Sequence, residues 1–220
     1  RNQSMGTAPT RGDTQVDDPN APTCPVPTEA NRLGGALTLR DGEVVSVRPI
    51  RADDVDRLIA FHARLSPEAI AFRYFSPVPK LTTARATWLT HVDYENRMAL
   101  VATIGPAENE QIIGVVRYER TGPTFAEVAF LVEDHWQGQG IATQLLYRLA
   151  EYGRRHDFVT FLAEIMGSNN RMRDVTRYAG FPFTTKYQNG TVEVCMDITK
   201  PPTSTFAPKG ELLSDREPAT

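Results

Sequence analysis

The sequence predicts an α/β fold of the α+β kind: one domain with a mixed, mostly antiparallel twisted sheet and helices on both faces. Three observations carry that expectation. Val44–Ile50 alternates like a strand and is followed by apolar residues at helical spacing, Leu58, Ile59, Phe61 and Leu65. The runs 98–104, 111–118 and 125–132 are strand-like and joined by links too short for a helical crossover, so they are antiparallel neighbours. Asn189-Gly190 lies between the runs 183–187 and 192–198, and Asn-Gly is a strong hairpin signal.

Each element has a local reason. Asp53-Asp54 supplies an N-cap for the helix carrying Leu58 and Phe61. Ser66-Pro67-Glu68 opens a second helix, with proline at the first helical position, running to about Tyr74. After a turn at Ser76-Pro77-Val78-Pro79, Thr82 or Thr83 caps a third helix through Leu89. Arg73, Tyr74 and Phe75 are expected to be exposed between these helices as walls for a substrate. A long helix runs from Gly140 to about His156, with Ile141, Leu145, Leu146 and Leu149 on one side. A strand follows at 159–165, and Ser168, Asn169 and Asn170 cap a last helix that stops at Ala179-Gly180.

The domain is expected over 44–199. Residues 1–43 contain no aromatic but have Pro9, Pro19, Pro22, Pro25 and Pro27, and residues 200–220 add Pro201, Pro202, Pro208 and Pro218. Segments so poor in large apolar groups cannot offset the entropy of ordering, so both tails are expected to be disordered. A net charge of −3 gives no basic footprint for nucleic acid. No run of 18 apolar residues exists, so no membrane span is expected. Cys24 and Cys195 suggest no disulfide framework, which suits a reducing cytoplasm. His62, His91, His135 and His156 lack metal-ligand spacing, so no metal is expected.

The stretch Val128 to Leu146 organises the rest. An apolar strand meets a turn with Gly138 and Gly140, and the turn opens the long helix. The first amides of a helix have no internal acceptor and carry the positive end of its dipole, so this end attracts phosphate. The P-loop pattern is excluded because no Lys-Ser/Thr pair closes the turn. The dinucleotide fingerprint is excluded because Thr143 stands where Gly or Ala is needed. A plain glycine-capped turn is the unremarkable alternative. The spacing that fits is Gln/Arg-x-x-Gly-x-Gly/Ala, met by Gln137, Gly140 and Ala142.

On these residues and on the element order, the chain resembles the GNAT superfamily of N-acetyltransferases over about 44–198. Within it, the chain is most similar to the acetyltransferase domain of bacterial protein lysine acetyltransferases. That likeness rests on Val47-Arg48-Pro49-Ile50-Arg51 with Asp53-Asp54, Leu65-Ser66-Pro67-Glu68, Arg73-Tyr74-Phe75-Ser76, Ala126-Glu127-Val128-Ala129-Phe130, and Asn169 before Ala179-Gly180-Phe181. The resemblance implies acetyl-CoA as acyl donor. It also implies main-chain bonds from Phe130, Leu131 and Val132 to the pantetheine and thioester. The diphosphate would lie on Gln137, Gly138, Gln139, Gly140, Ile141, Ala142 and Thr143, with a bond from Asn169 to the pantetheine arm, where Asn169 also serves as a helix cap.

Moving an acetyl group to an amine requires the amine to lose a proton, so a base helps. Glu127 is the candidate: it alternates with Ala129 and Leu131, and apolar neighbours are expected to raise its pKa. The other reading is a rim carboxylate facing water. Glu164, alternating with Leu162 and Met166, is a second catalytic candidate or a substrate-binding or structural residue. Many relatives place a tyrosine acid four residues before the glycine of the last helix; Thr176 stands there, and Tyr178 falls on another face. The expected acceptor is a lysine of a protein, or alternatively a small amine. A sensor that binds acyl-CoA without turnover is the rival of another class. The chain is expected to act as a monomer or dimer.

Overall fold

The computed structural model describes residues 24–76 and 80–204. In chain order the elements are α1 (Thr28–Asn31), β1 (Gly35–Thr38), β2 (Val44–Pro49), α2 (Val55–Ala63), α3 (Pro67–Tyr74), α4 (Thr83–Thr90), β3 (Arg97–Ile104), β4 (Gln111–Arg120), β5 (Phe125–Val132), α5 (Ile141–Arg155), β6 (Thr160–Met166), α6 (Asn170–Tyr178), β7 (Phe183–Gln188) and β8 (Thr191–Asp197). They form one eight-stranded sheet in the order β1-β2-β3-β4-β5-β6-β8-β7. Every neighbouring pair is antiparallel except β5–β6, which is parallel. The α+β expectation is met.

The helices take opposite faces because side chains alternate along each strand. On β4, Gly114 lies against the Ile141 side chain of α5, where an added Cβ would come within 3.1 Å. Val115 and Arg117, of the other parity, line a crevice with Leu58 and Phe61 of α2. Leu145, Leu146 and Leu149 of α5 are fully buried, as their spacing predicts.

Local signals hold at three helix starts, whereas Asp54 makes no cap bond to α2 and accepts instead from the Arg51 amide. The Ser66 and Thr82 hydroxyls accept from the Ala69 and Arg85 amides, and Asn169 Oδ1 accepts from the Met172 amide. Asn189 and Gly190 both take positive φ, the backbone of a type I′ hairpin turn. The Asp54 carboxylate is buried and receives two 2.7 Å bonds from Arg48, whose guanidinium also bonds Glu110. The Val-Arg-Pro-Ile-Arg/Asp-Asp pattern is therefore a structural clasp between β2 and the start of α2.

Three expectations are corrected. Residues 24–43 are not a structureless tail: α1 packs down and β1 pairs with β2, with Ala30 and Leu33 only 0% and 1% exposed. Few apolar side chains suffice because Leu33, Leu37 and Leu39 all turn inward. Residues 1–23 lie outside the described residues. At the other end Thr203 bonds the Gly180 carbonyl, and residues 205–220 lie outside the described residues. Arg73 and Tyr74 are half-buried rather than exposed, since α3 lays them against the sheet; Phe75 is exposed. Pro77 to Pro79 of the expected turn lie outside the described residues.

Candidate active site

Strand β5 pairs with β4 along its length, from Ala126 opposite Arg120 to Val132 opposite Gly114. Toward β6 the pairing stops early: only Phe125, Ala126 and Glu127 have partners, at Thr160, Phe161 and Leu162. Past Glu127 the parallel strands part. Thr121 donates to the Phe125 carbonyl and Glu133 to the Ile113 carbonyl, which sets the phase of the β4–β5 ladder. Bonded and unbonded positions alternate in such a ladder. Glu127, Ala129 and Leu131 therefore direct their peptide groups to β4, while Val128, Phe130 and Val132 point theirs into the gap.

The three residues expected to act together are thus split. Phe130 and Val132 face the opening, whereas the main chain of Leu131 is engaged with Val115 on β4 and its side chain lines the crevice under α2. The period of two along a strand imposes this. One of the exposed groups has a partner: Gln137 Nε2 donates to the Val132 carbonyl at 3.0 Å.

The gap leads into the glycine turn. Gly138 and Gly140 have φ of 80° and 93°, open to glycine and strained for other residues. A Cβ at Gly138 would meet nothing within 4 Å, and one at Gly140 only Arg40 Nε at 3.9 Å, so the backbone forms an open cradle. The first intrahelical bond of α5 runs from Gln144 to the Gly140 carbonyl. The amides of Ile141, Ala142 and Thr143 precede it and have no intrahelical acceptor. The Ile141 side chain is 1% exposed in the core, so only its amide serves the cradle. The residues present fit a diphosphate.

Two arginines beside the cradle escaped sequence reasoning. Arg40 donates from Nη1 to the Gly138 carbonyl at 3.2 Å, and its amide bonds the Gln139 carbonyl. Arg171 of α6 bonds Gln137 Oε1. Both add positive charge where an anion would lie. Arg40 was hidden because it follows β1, in a segment whose composition suggests disorder.

Glu127 is the last residue of β5 still opposite β6, and it is exposed. The apolar burial expected around its carboxylate is therefore missing on the solvent side. It acts electrostatically on Arg73, whose guanidinium is pushed down by burial, with Tyr74 and Glu127 acting the other way. Glu164 is also exposed and stands opposite Glu193 of β8, in a polar groove with Lys186 and Asn189. It lies two residues beyond Leu162, the last β6 partner of Glu127, where the strands have parted. Asn169 caps α6 and is half-buried. Thr176 is buried and donates to the Arg173 carbonyl at 2.8 Å, while Tyr178 is 59% exposed. Neither hydroxyl is directed at the gap by its contacts.

Known proteins resemble this chain in sequence and in fold. The Acetyltransferase (GNAT) domain model matches residues 45–182. Acetyltransferase PA5475 of Pseudomonas aeruginosa is 30% identical over 145 residues, 66% of this chain and 78% of that protein. Acetyltransferase Pat of Mycolicibacterium smegmatis is 31% identical over 189 residues, 84% of this chain, and the match spans 54% of Pat. The crystal structure of the GNAT domain of S. lividans PAT superposes with a TM-score of 0.70 at 36% identity, over 75% of this chain and 97% of that one. Sheet order, cradle and these similarities agree: the chain belongs to the GNAT acetyltransferase family.

Proposed function

We propose that this protein is an acetyl-CoA-dependent N-acetyltransferase that modifies a lysine side chain of a protein by direct attack in a ternary complex. The observation that carries the reading is the continuity of Glu127, the open edge of β5 and the glycine cradle. The amides of Gly140 to Thr143, helped by Arg40 and Arg171, would hold the diphosphate. The Phe130 peptide and the Val132 amide would bond the pantetheine arm and the charge developing on the thioester oxygen.

Bound acetyl-CoA supplies the thioester. A lysine amine near pKa 10.4 is almost wholly protonated at pH 7, and Glu127 accepts its proton. The amine lone pair forms the N–C bond, and the C–S bond breaks with its electron pair on sulfur. The proton taken by Glu127 returns to the departing thiolate through solvent. A thiol near pKa 8.5 needs little help from an acid, consistent with Thr176 standing where many relatives have tyrosine.

The protein target is supported by the motif resemblance to bacterial protein lysine acetyltransferases and by the 36% identity to the S. lividans PAT domain. The test is incubation with acetyl-CoA and a panel of proteins and amines, read by thiol release, with acetyl-CoA binding measured by calorimetry. Glu127→Gln is expected to lower transfer by about 10²–10⁴-fold with affinity nearly unchanged. Preferred small amines would replace the protein target, and binding without any transfer would favour the sensor.

A further inference from the structure

On the face of the sheet that α2 covers, charged residues stand in rows. Arg97, Glu119 and Glu127 lie opposite one another across β3, β4 and β5, and Arg117 lies between Ala99 and Ala129 in the next row. Arg117 and Arg73 of α3 converge on one narrow crevice, whose remaining wall is largely apolar and includes Leu58, Leu89 and Leu131. Burial pushes both guanidinium groups down, Arg117 further under the charges of Arg73 and Arg97. Arg117 Nη2 donates to the Leu89 carbonyl at 2.6 Å. Arg73 rests over the Tyr74 ring, 5.2 Å from its centroid. Among the described residues neither guanidinium has a carboxylate at ion-pair distance. Glu119 and Glu127 act on Arg73 only through space.

A third polar group meets the same crevice. His62 is 3% exposed, and its Nε2 is buried with no hydrogen-bond partner among the described residues. Burial favours its neutral form. Two half-buried cations without a carboxylate to balance them, beside a buried ring nitrogen without a partner, are costly to withdraw from water, so such a cluster suits an anion. The space open to water-sized groups is about 30 Å³. At about 10–15 Å³ each it admits two or three of them, the size of a carboxylate and too small for a folded segment. Ala129, Phe130 and Leu131 form one wall, so whatever enters lies beside the β5 edge.

We propose that this crevice receives a carboxylate carried by one of the two reactants, held by Arg73 and Arg117 and bonded by the Nε2–H tautomer of His62. The inference rests on the acyl-CoA reading above. The carboxylate arrives either on the acyl chain, as in succinyl-CoA, or on the acceptor, as on a lysine with a free α-carboxylate. It makes and breaks no bond; the amine still forms the N–C bond and sulfur still leaves with its electron pair.

The test uses the whole chain. Calorimetry compares CoA, acetyl-CoA and succinyl-CoA, and then Nα-acetyl-lysine against its amide titrated into CoA-saturated protein; thiol release is followed for the same pairs. A charge-assisted contact predicts a preference of about tenfold or more for the carboxylate-bearing member of one pair. Arg73→Met is expected to erase that preference; Arg117→Met, which also loses its bond to Leu89, is the second variant. Preference within the acyl pair places the carboxylate on the donor, and preference within the acceptor pair places it on the acceptor. Equal binding in both pairs, or a preference that survives both variants, overturns the inference while CoA binding stands. Failure of CoA itself to bind would overturn the proposed function with it.

Discussion

Replacing Gly140 with valine separates backbone strain from ligand binding, because the chain contains its own control. Gly140 has φ of 93° and Gly42, in the turn between β1 and β2, has φ of 92°. Neither substitution is blocked by crowding: a Cβ meets nothing within 4 Å at Gly42 and only Arg40 Nε at 3.9 Å at Gly140. Both variants therefore carry a similar strain, about 1–3 kcal/mol of stability. Only Gly140 borders the proposed diphosphate. If the valine displaces two amide-to-diphosphate bonds at about 1.5–3 kcal/mol each, binding weakens by about 3–6 kcal/mol, or about 10²–10⁴-fold in Kd. Urea unfolding reports the strain and calorimetry with CoA reports the affinity. Equal affinity in Gly140→Val and wild type would refute the cradle. Gly42→Val is expected to lose much less affinity, since that turn reaches the cradle only through Arg40.

The clasp at Arg48 gives a stability test: Arg48→Met leaves the buried Asp54 carboxylate without its two 2.7 Å bonds and is expected to cost about 3–5 kcal/mol by urea unfolding. Arg48 also holds the Glu110 carboxyl below the usual carboxylate range, against burial and with help from Thr103. A depressed folded pKa contributes stability that is present above the unfolded value of about 4.3 and lost as pH falls through the folded one. Glu110→Gln is therefore expected to be less stable than wild type at pH 7, with the gap closing below about pH 4 in a pH series of thermal melts. Leu33→Ala is expected to cost about 2–5 kcal/mol in urea, whereas no loss would mean that α1 is not docked.

Much of the architecture is written in short-range chemistry. A hydroxyl or carboxamide cap, proline at a first helical position, Asn-Gly at a hairpin and glycine after α6 each act on neighbours a few residues away. Those elements lie where their residues predict, and so does the cradle, since Gly138, Gly140 and the apolar stripe from Ile141 are contiguous. Composition misleads where a few inward side chains outweigh many polar ones. Residues 28–39 contain no aromatic and no β-branched aliphatic residue, yet Leu33, Leu37 and Leu39 are all buried.

The sequence by itself determined the order of elements, the glycine turn that suits a diphosphate and the carboxylate on the strand leading to it, because each depends on local backbone preference and periodicity. Only the tertiary structure decided where β5 parts from β6, which peptide groups that opens, that Arg40 and Arg171 flank the cradle, and that Arg73, Arg117 and His62 converge on the crevice under α2. Those outcomes depend on ladder phase and on contacts between residues far apart in the chain, where each side chain's surroundings are set by the whole fold.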